Sequence, residues 1–157
     1  MAERSVKKSM VGIAHGGTDL FVISGGPIKI IELFGIVVVQ IQGASILINY
    51  VMDPTSPAGN TAFATDGTAL EINGDLVGAL YTWDGIMNND LVATVNGVAL
   101  GLPAPTDGST DKSGQLIVPV GSLELAAVNA GSSAKTGDID FYLRYKPMVP
   151  GATVSPA

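Results

Sequence analysis

His15 is the single histidine of the chain, so a Ser-His-Asp or Cys-His relay would have to pass its proton through this residue. It stands between Ala14 and Gly16-Gly17 in turn-forming sequence, and no G-x-S-x-G nucleophile elbow occurs. Ser5 with Lys8 and Ser132 with Lys135 have the S-x-x-K spacing of serine–lysine enzymes. That chemistry needs both side chains on a buried helix facing an oxyanion hole, whereas both pairs lie in extended or loop sequence. Asp138 and Asp140 alternate along strand-like sequence, so both carboxylates point to one face, as a glycosidase pair or a calcium site requires. Neither use has a further partner in view. Two acids on a solvent face, with Ile139 and Phe141 on the core face, account for the same pattern.

The oxygen-rich stretches Asn88-Asn89-Asp90 and Asp107 to Asp111 lack the spaced Asp/Asn, Gly and Glu array of an EF-hand and read as turns. Lys135-Thr136 runs into glycine and a strand rather than a helix, which removes the phosphate-loop context. There are no cysteines, hence no disulfide and no thiolate metal site. Tyr81, Trp83, Tyr142 and Tyr145 have the types to stack on a sugar or a base, but aromatics at alternate strand positions are ordinarily cross-strand core pairs. No residue is assigned a catalytic, cofactor-binding or metal-binding role, and the chain reads as non-enzymatic.

The elements around these residues are strands. Patterns of helical period are scarce, while Gly, Asn-Gly and Asp-Gly recur at short spacing. Ser5 to Ala14 and Asp19 to Ser24 read as the first strands, and Ser24-Gly25-Gly26-Pro27 as a hairpin turn into a return strand from Pro27 to Phe34. Gly35 is expected to break that strand. Ile36 to Met52 follows as one long strand or two kinked at Gly43. The prolines of Asp53 to Asn60 mark a loop. Short strands are expected at Thr68 to Ile72, Leu76 to Trp83, Met87 to Val95 and Val98 to Leu102, joined as hairpins at Asn73-Gly74, Asp84-Gly85 and Asn96-Gly97. After a polar loop from Pro103 to Gly114, Gln115 to Val120, Ser122 to Val128 and Gly137 to Lys146 close the domain. The expectation is one all-β domain over 1–146, a β-sandwich of jelly-roll type, with extended arms at about 1–9 and at 147–157. The C-terminal arm holds three prolines and no charged side chain.

At 157 residues the chain suits one domain. Its charged fraction is 14%, against about 25% in ordinary soluble domains, which favours buried subunit interfaces. A net charge of −6 argues against a nucleic-acid partner, which needs clustered Lys and Arg. Arg4, Lys7 and Lys8 resemble the start of a signal peptide, but the apolar stretch after them ends at His15-Gly16-Gly17, too early. Leu33 to Met52 is uncharged and long enough to span a bilayer as a helix. It contains Gln40, Gln42, Gly43, Ser45 and Asn49, is rich in Val and Ile, and lies between Glu32 and Asp53 without a positive-inside bias, so two buried strands are expected instead of a membrane span.

Three groups of residues carry a family resemblance. They are Leu20-Phe21-Val22-Ile23-Ser24-Gly25-Gly26-Pro27-Ile28, with Leu33-Phe34-Gly35-Ile36-Val37 and Gln40-Ile41-Gln42 after it; Val118-Pro119-Val120-Gly121-Ser122-Leu123; and Gly137, Ile139, Phe141, Leu143, Tyr145 and Pro147 in alternation, then Gly151-Ala152-Thr153-Val154. Together they resemble the small decoration, or cement, proteins of tailed bacteriophages. Pro103 to Gly114 departs from the pattern, and Phe141 stands where a larger aromatic is expected. The resemblance implies a homotrimer on the outer surface of the virion that clamps the major capsid protein, with no enzymatic residues to carry over. The uncharged Ile36 to Met52 segment is then the expected trimer core, with Gln40 and Gln42 hydrogen-bonding across the threefold axis and the terminal arms reaching the capsid. A carbohydrate-binding module or a head-fibre domain for host attachment is the alternative.

Overall fold

The computed structural model describes residues 1–56, 59, 61–62, 69–83, 92–94 and 116–157. Ten residues from Arg4 to Ile13 form β1, followed by β2 (Gly16–Ser24), β3 (Ile28–Gln42), β4 (Ile46–Pro54), β5 (Thr61–Ala62), β6 (Leu70–Glu71), β7 (Leu80–Thr82), β8 (Val92–Thr94), β9 (Ile117–Val118), β10 (Gly121–Asn129), β11 (Lys135–Pro147) and β12 (Thr153–Pro156). Two antiparallel sheets pack as a β-sandwich. Sheet A runs β1-β11-β3-β7-β8 with β9 also on β3; sheet B runs β12-β2-β10-β4-β5 with β6 also on β4.

Alternation explains the layering. On β11, Gly137, Ile139, Phe141, Leu143, Tyr145 and Pro147 are buried while the residues between them face out. On β10, Leu123, Leu125 and Ala127 do the same. The inner faces share one core, whose largest members are Tyr50, Tyr81, Phe21 and Phe141. Tyr50 of sheet B meets Phe141 of sheet A edge to face, with ring centres 6.1 Å apart. Its hydroxyl donates to the Tyr81 carbonyl at 3.1 Å, so the buried polar atom is satisfied and the sheets are tied together.

Several connections differ from expectation. Ser24 to Pro27 does not close a hairpin, because β2 belongs to sheet B and β3 to sheet A. The segment crosses between layers, with Gly25 at φ 73° and so close to the chain end that a Cβ there would sit 2.1 Å from the Gly151 carbonyl oxygen. The expected break at Gly43 is real, at φ 138°, and it too is a crossing, from β3 to β4. Asn73-Gly74 likewise leads from β6 in sheet B to β7 in sheet A. Gly35 does not break the strand: β3 runs through it, and the missing side chain makes room for the Phe141 ring.

Both expected arms are strands of the sandwich. Arg4 to Ser9 pair with β11 from Tyr145 to Asp140, and Thr153 to Pro156 pair with β2 from Ser24 to Phe21. The Val154 amide donates to the Tyr145 hydroxyl oxygen at 3.2 Å, and Ala152 is buried. Proline is tolerated in this segment because β12 is an edge strand that needs only one side of its ladder. Asp84-Gly85, Asn96-Gly97, the strand expected at Val98 to Leu102 and the loop Pro103 to Gly114 lie outside the described residues.

Candidate interaction surface

Among the described residues singled out for chemistry, His15, Lys135, Asp138 and Asp140 each have a structural partner. His15 Nδ1 accepts the Asn129 backbone N–H at 3.1 Å, while the Asn129 side-chain amide donates to the carbonyls of Ile13 at 2.9 Å and Ser133 at 3.0 Å. The imidazole thus joins the β1–β2 corner to the end of β10. Ser5 and Lys8 are three apart on β1 and point to opposite faces, so they form no dyad. Lys135 Nζ donates to Ser133 Oγ at 3.0 Å, and Ser132 sits in a tight turn with φ 52°. Asp138 Oδ1 accepts the Gly12 amide at 3.2 Å, and Asp140 pairs with Lys7 at 2.5 Å across the β1–β11 ladder. The Lys7 ammonium, and after it the Ser9 hydroxyl, holds the Asp140 carboxyl below its ordinary value, so this is an ion-paired surface acid and no proton donor.

The aromatic residues do not share a platform. Tyr81, Trp83 and Tyr145 are in the core, and only Tyr142 lies on the outer face of sheet A, where it stacks on Phe34 at 5.1 Å beneath Lys7. Burial, and after it the Asp75 carboxylate, raises the Tyr81 hydroxyl, which donates to Asp75 Oδ2 at 2.8 Å. Among the described residues no group of three or more His, Asp or Glu side chains is placed to hold a metal ion. Asn88-Asn89-Asp90 and Asp107 to Asp111 lie outside the described residues.

What does stand out is the surface of β3. Much of the uncharged Ile36 to Met52 segment is core: Val37, Ile41, Ile46, Ile48 and Tyr50 are fully buried within this chain. The remainder faces out. Val38 and Val39 are 42% and 49% exposed, with Gln40 and Gln42 beyond them. The chain from Asp75 to Ala79 runs alongside, its Gly78 amide donating to the Val37 carbonyl and its Asp75 carbonyl accepting from Ile41. This places Leu76 and Val77, 46% and 58% exposed, beside the valines. An apolar ridge flanked by two uncharged amides results.

The charges are segregated as well. Every lysine and arginine among the described residues lies on β1, β3 or β11 of sheet A. Among the described residues, the strands of sheet B carry Asp19, Asp53, Glu71 and Glu124 and no basic side chain. Composition gives only the net charge; this separation needs the strand order, which no sequence signal supplied.

Comparison with protein-family models, with curated proteins and with solved structures finds no match to this chain. The surface has to be interpreted from its own chemistry.

Proposed function

We propose that the chain is a non-enzymatic structural protein of a tailed-phage virion, which decorates the outer capsid surface as a homotrimer and stabilises it by binding the major capsid protein. The observation that carries this reading is the ridge of Val38, Val39, Leu76 and Val77 with Gln40 and Gln42 beside it. A large apolar ridge left in water is unfavourable, and burial against a partner removes that cost. The residue resemblance supplies the identity of the partner, and three of the four aromatics considered for a glycan platform, Trp83, Tyr81 and Tyr145, are buried in the core, which weakens the glycan-binding alternative.

Strand order supports the jelly-roll form of the sandwich. β1 to β4 and β9 to β12 alternate between the layers, while β4 to β6 stay in sheet B and β7 to β9 in sheet A, so β1-β11-β3-β7 faces β2-β10-β4-β5, the order of a jelly roll. In this reading the chain ends act as an edge instead of free arms. β1 and β12 lie at the same side of the sandwich, and Lys8 Nζ donates to the Ala157 carbonyl.

The test is co-sedimentation of the purified chain with expanded phage heads, scored by occupancy and by resistance of the heads to heat. Wild-type protein is expected to bind and to protect. The doubly substituted Val39→Asp, Val77→Asp chain is expected to keep its melting transition, since exposed positions away from special features change stability within about 0.5 kcal/mol, and to lose binding. Equal occupancy by both proteins would remove the ridge from the argument, and no binding by wild type would remove the function.

A further inference from the structure

The apolar ridge ends on a carboxyl group. Asp75 directly precedes Leu76 and Val77, and its carbonyl accepts the Ile41 amide at 3.0 Å, which sets it beside the stretch of β3 that carries Gln40 and Gln42. Its side chain is half-buried, and Asp75 Oδ2 accepts the hydroxyl of Tyr81, a residue of the core, at 2.8 Å. No cation stands beside it. From β6, Glu71 adds a second negative charge, its own oxygens being occupied by Ser45, Ile46 and Asn73. β3 offers the uncharged Gln40 and Gln42, β7 the Tyr81 phenol, and behind that lies the phenol of Tyr50 on β4. Lys135, packed on Gly43 at the same end of the sandwich, donates to Ser133, and among the described residues Asp75 makes no ion pair. His15 is held at the β1–β2 corner by Asn129. Burial first, with the Glu71 charge added to it, holds the Asp75 carboxyl above its ordinary value against the opposing Tyr81 hydrogen bond.

We propose that copies of this chain associate through the ridge and that the association takes up a proton at Asp75. The inference rests on the homotrimer of the reading above and names its contact and its regulation. The occupant is a second copy because the ridge is complementary to its own kind: Val38, Val39, Leu76 and Val77 carry no charge, and each glutamine amide both donates and accepts. The outer faces of both sheets carry charged groups, and with a net charge of −6 two copies meeting at random repel. The valine strip of β3 and the strip formed by Leu76 and Val77 are neighbours on one part of the molecule. With a threefold axis beside them, the Leu76–Val77 strip of each copy meets the Val38–Val39 strip of the next, two different patches closing one ring. That contact takes water from the rim where Asp75 stands. A carboxylate that already lacks a cation then loses more hydration, so the assembly favours the neutral acid. For an acid whose pKa rises on association, the contact is at full strength below the free chain's value and weakens as pH rises through the interval up to the higher value in the assembly.

The experiment is sedimentation equilibrium of the intact chain over a pH series from about 7.5 to about 4.5 at fixed ionic strength, a range chosen to start above and end near the ordinary aspartate value. Wild type is compared with D75N, whose amide keeps an acceptor for the Tyr81 hydroxyl and cannot ionise. Falling net charge relieves repulsion in both chains alike, so the readout is the ratio of their association constants. D75N is expected to associate about tenfold more tightly per copy at the neutral end, equivalent to one unit in the Asp75 pKa, and the ratio to fall toward one as pH is lowered. D53N removes the same charge from sheet B, away from the ridge, and is expected to follow wild type throughout, as is H15Q, which replaces the single histidine. The Val39→Asp, Val77→Asp chain is expected to be monomeric at every pH. A ratio that stays constant with pH, or a D53N chain that behaves as D75N does, would overturn the proton uptake. A trimer of the doubly substituted chain would overturn the contact. Dilution calorimetry of wild type alone, in two buffers of different ionisation enthalpy across the same series, gives a test that needs no variant to fold: proton release on dissociation upholds the proposal, and its absence overturns it. A monomeric wild type would sink both the proposal and the trimer in the reading above. A proton-linked trimer that ignores phage heads would uphold the proposal and refute the capsid function.

Discussion

A single carboxylate, Glu71, fastens the short strand β6 to the start of β4. Its oxygens accept the Ile46 amide at 2.8 Å, the Asn73 amide at 3.0 Å and the Ser45 hydroxyl. Burial alone would raise this acid, but those hydrogen bonds to its charged form outweigh it and the carboxyl ends below its ordinary value. For an acid whose folded pKa is depressed, the stabilisation is present above the unfolded pKa, about 4.3, and is lost as pH falls through the lower folded value. Glu71→Gln is therefore expected to cost about 1 kcal/mol at neutral pH, the modest figure reflecting solvent screening of an exposed group. The difference from wild type should shrink below about pH 4 in denaturant titrations. A gap that stays constant from neutral to acid pH would assign the effect to shape rather than charge. Sequence reasoning did not single out Glu71, because its Ser45 and Ile46 partners come within reach only once β6 lies against β4. By contrast, the outward aim of Asp138 and Asp140 was readable from alternation with Ile139 and Phe141.

At the scale of elements, the strands were legible and their partners were not. Alternating burial on β10 and β11 follows from side-chain type alone. A glycine-rich turn such as Ser24 to Pro27 announces that the chain changes direction, but it does not say which layer the next strand joins. Both hairpins and layer crossings need positive φ, so the two hairpins expected at Ser24 to Pro27 and Asn73-Gly74, and the kink expected at Gly43, are crossings instead. Gly35 was misjudged for a related reason. It lies in the middle of β3, and a Cβ there would approach Phe141 Cε1 to 2.8 Å and Ile139 Cγ2 to 3.1 Å. A break and a close approach of another side chain call for the same residue. Gly35→Ala is accordingly expected to destabilise the fold by roughly 1–3 kcal/mol through overpacking. In a double-mutant cycle with Phe141→Leu the two costs should be less than additive, because the smaller side chain vacates the space. Additive costs would mean that backbone preference, and not the ring, demands the glycine.

For the whole molecule the problem is how a sandwich ends. A sheet edge offers unpaired backbone groups to any passing strand, and proteins guard edges with charge, bulges, short strands or proline. β1 closes one edge of sheet A with Arg4, Lys7 and Lys8 and a register shift between Val11 and Ile13. β12 closes the neighbouring edge of sheet B: it is four residues long, contains Pro156, and covers the β2 residues Phe21 to Ser24. Beneath it, Val154 is held by the Tyr145 hydroxyl of the opposite sheet, so the short strand is fastened to both layers. Removing Thr153 to Ala157 would expose β2, whose Phe21 and Ile23 are at present buried, as a longer edge without any lysine or arginine. The shortened chain is expected to show faster amide exchange on β2, with β4 and β10 little changed, and a concentration-dependent loss of soluble protein on warming. Adding Lys at Val22, an exposed position on β2, should restore solubility without restoring exchange protection. If the shortened chain stays soluble and its β2 amides remain protected, β12 is not what guards that edge. The same truncation then becomes a clean probe of capsid attachment, because loss of head binding could no longer be traced to an opened sheet.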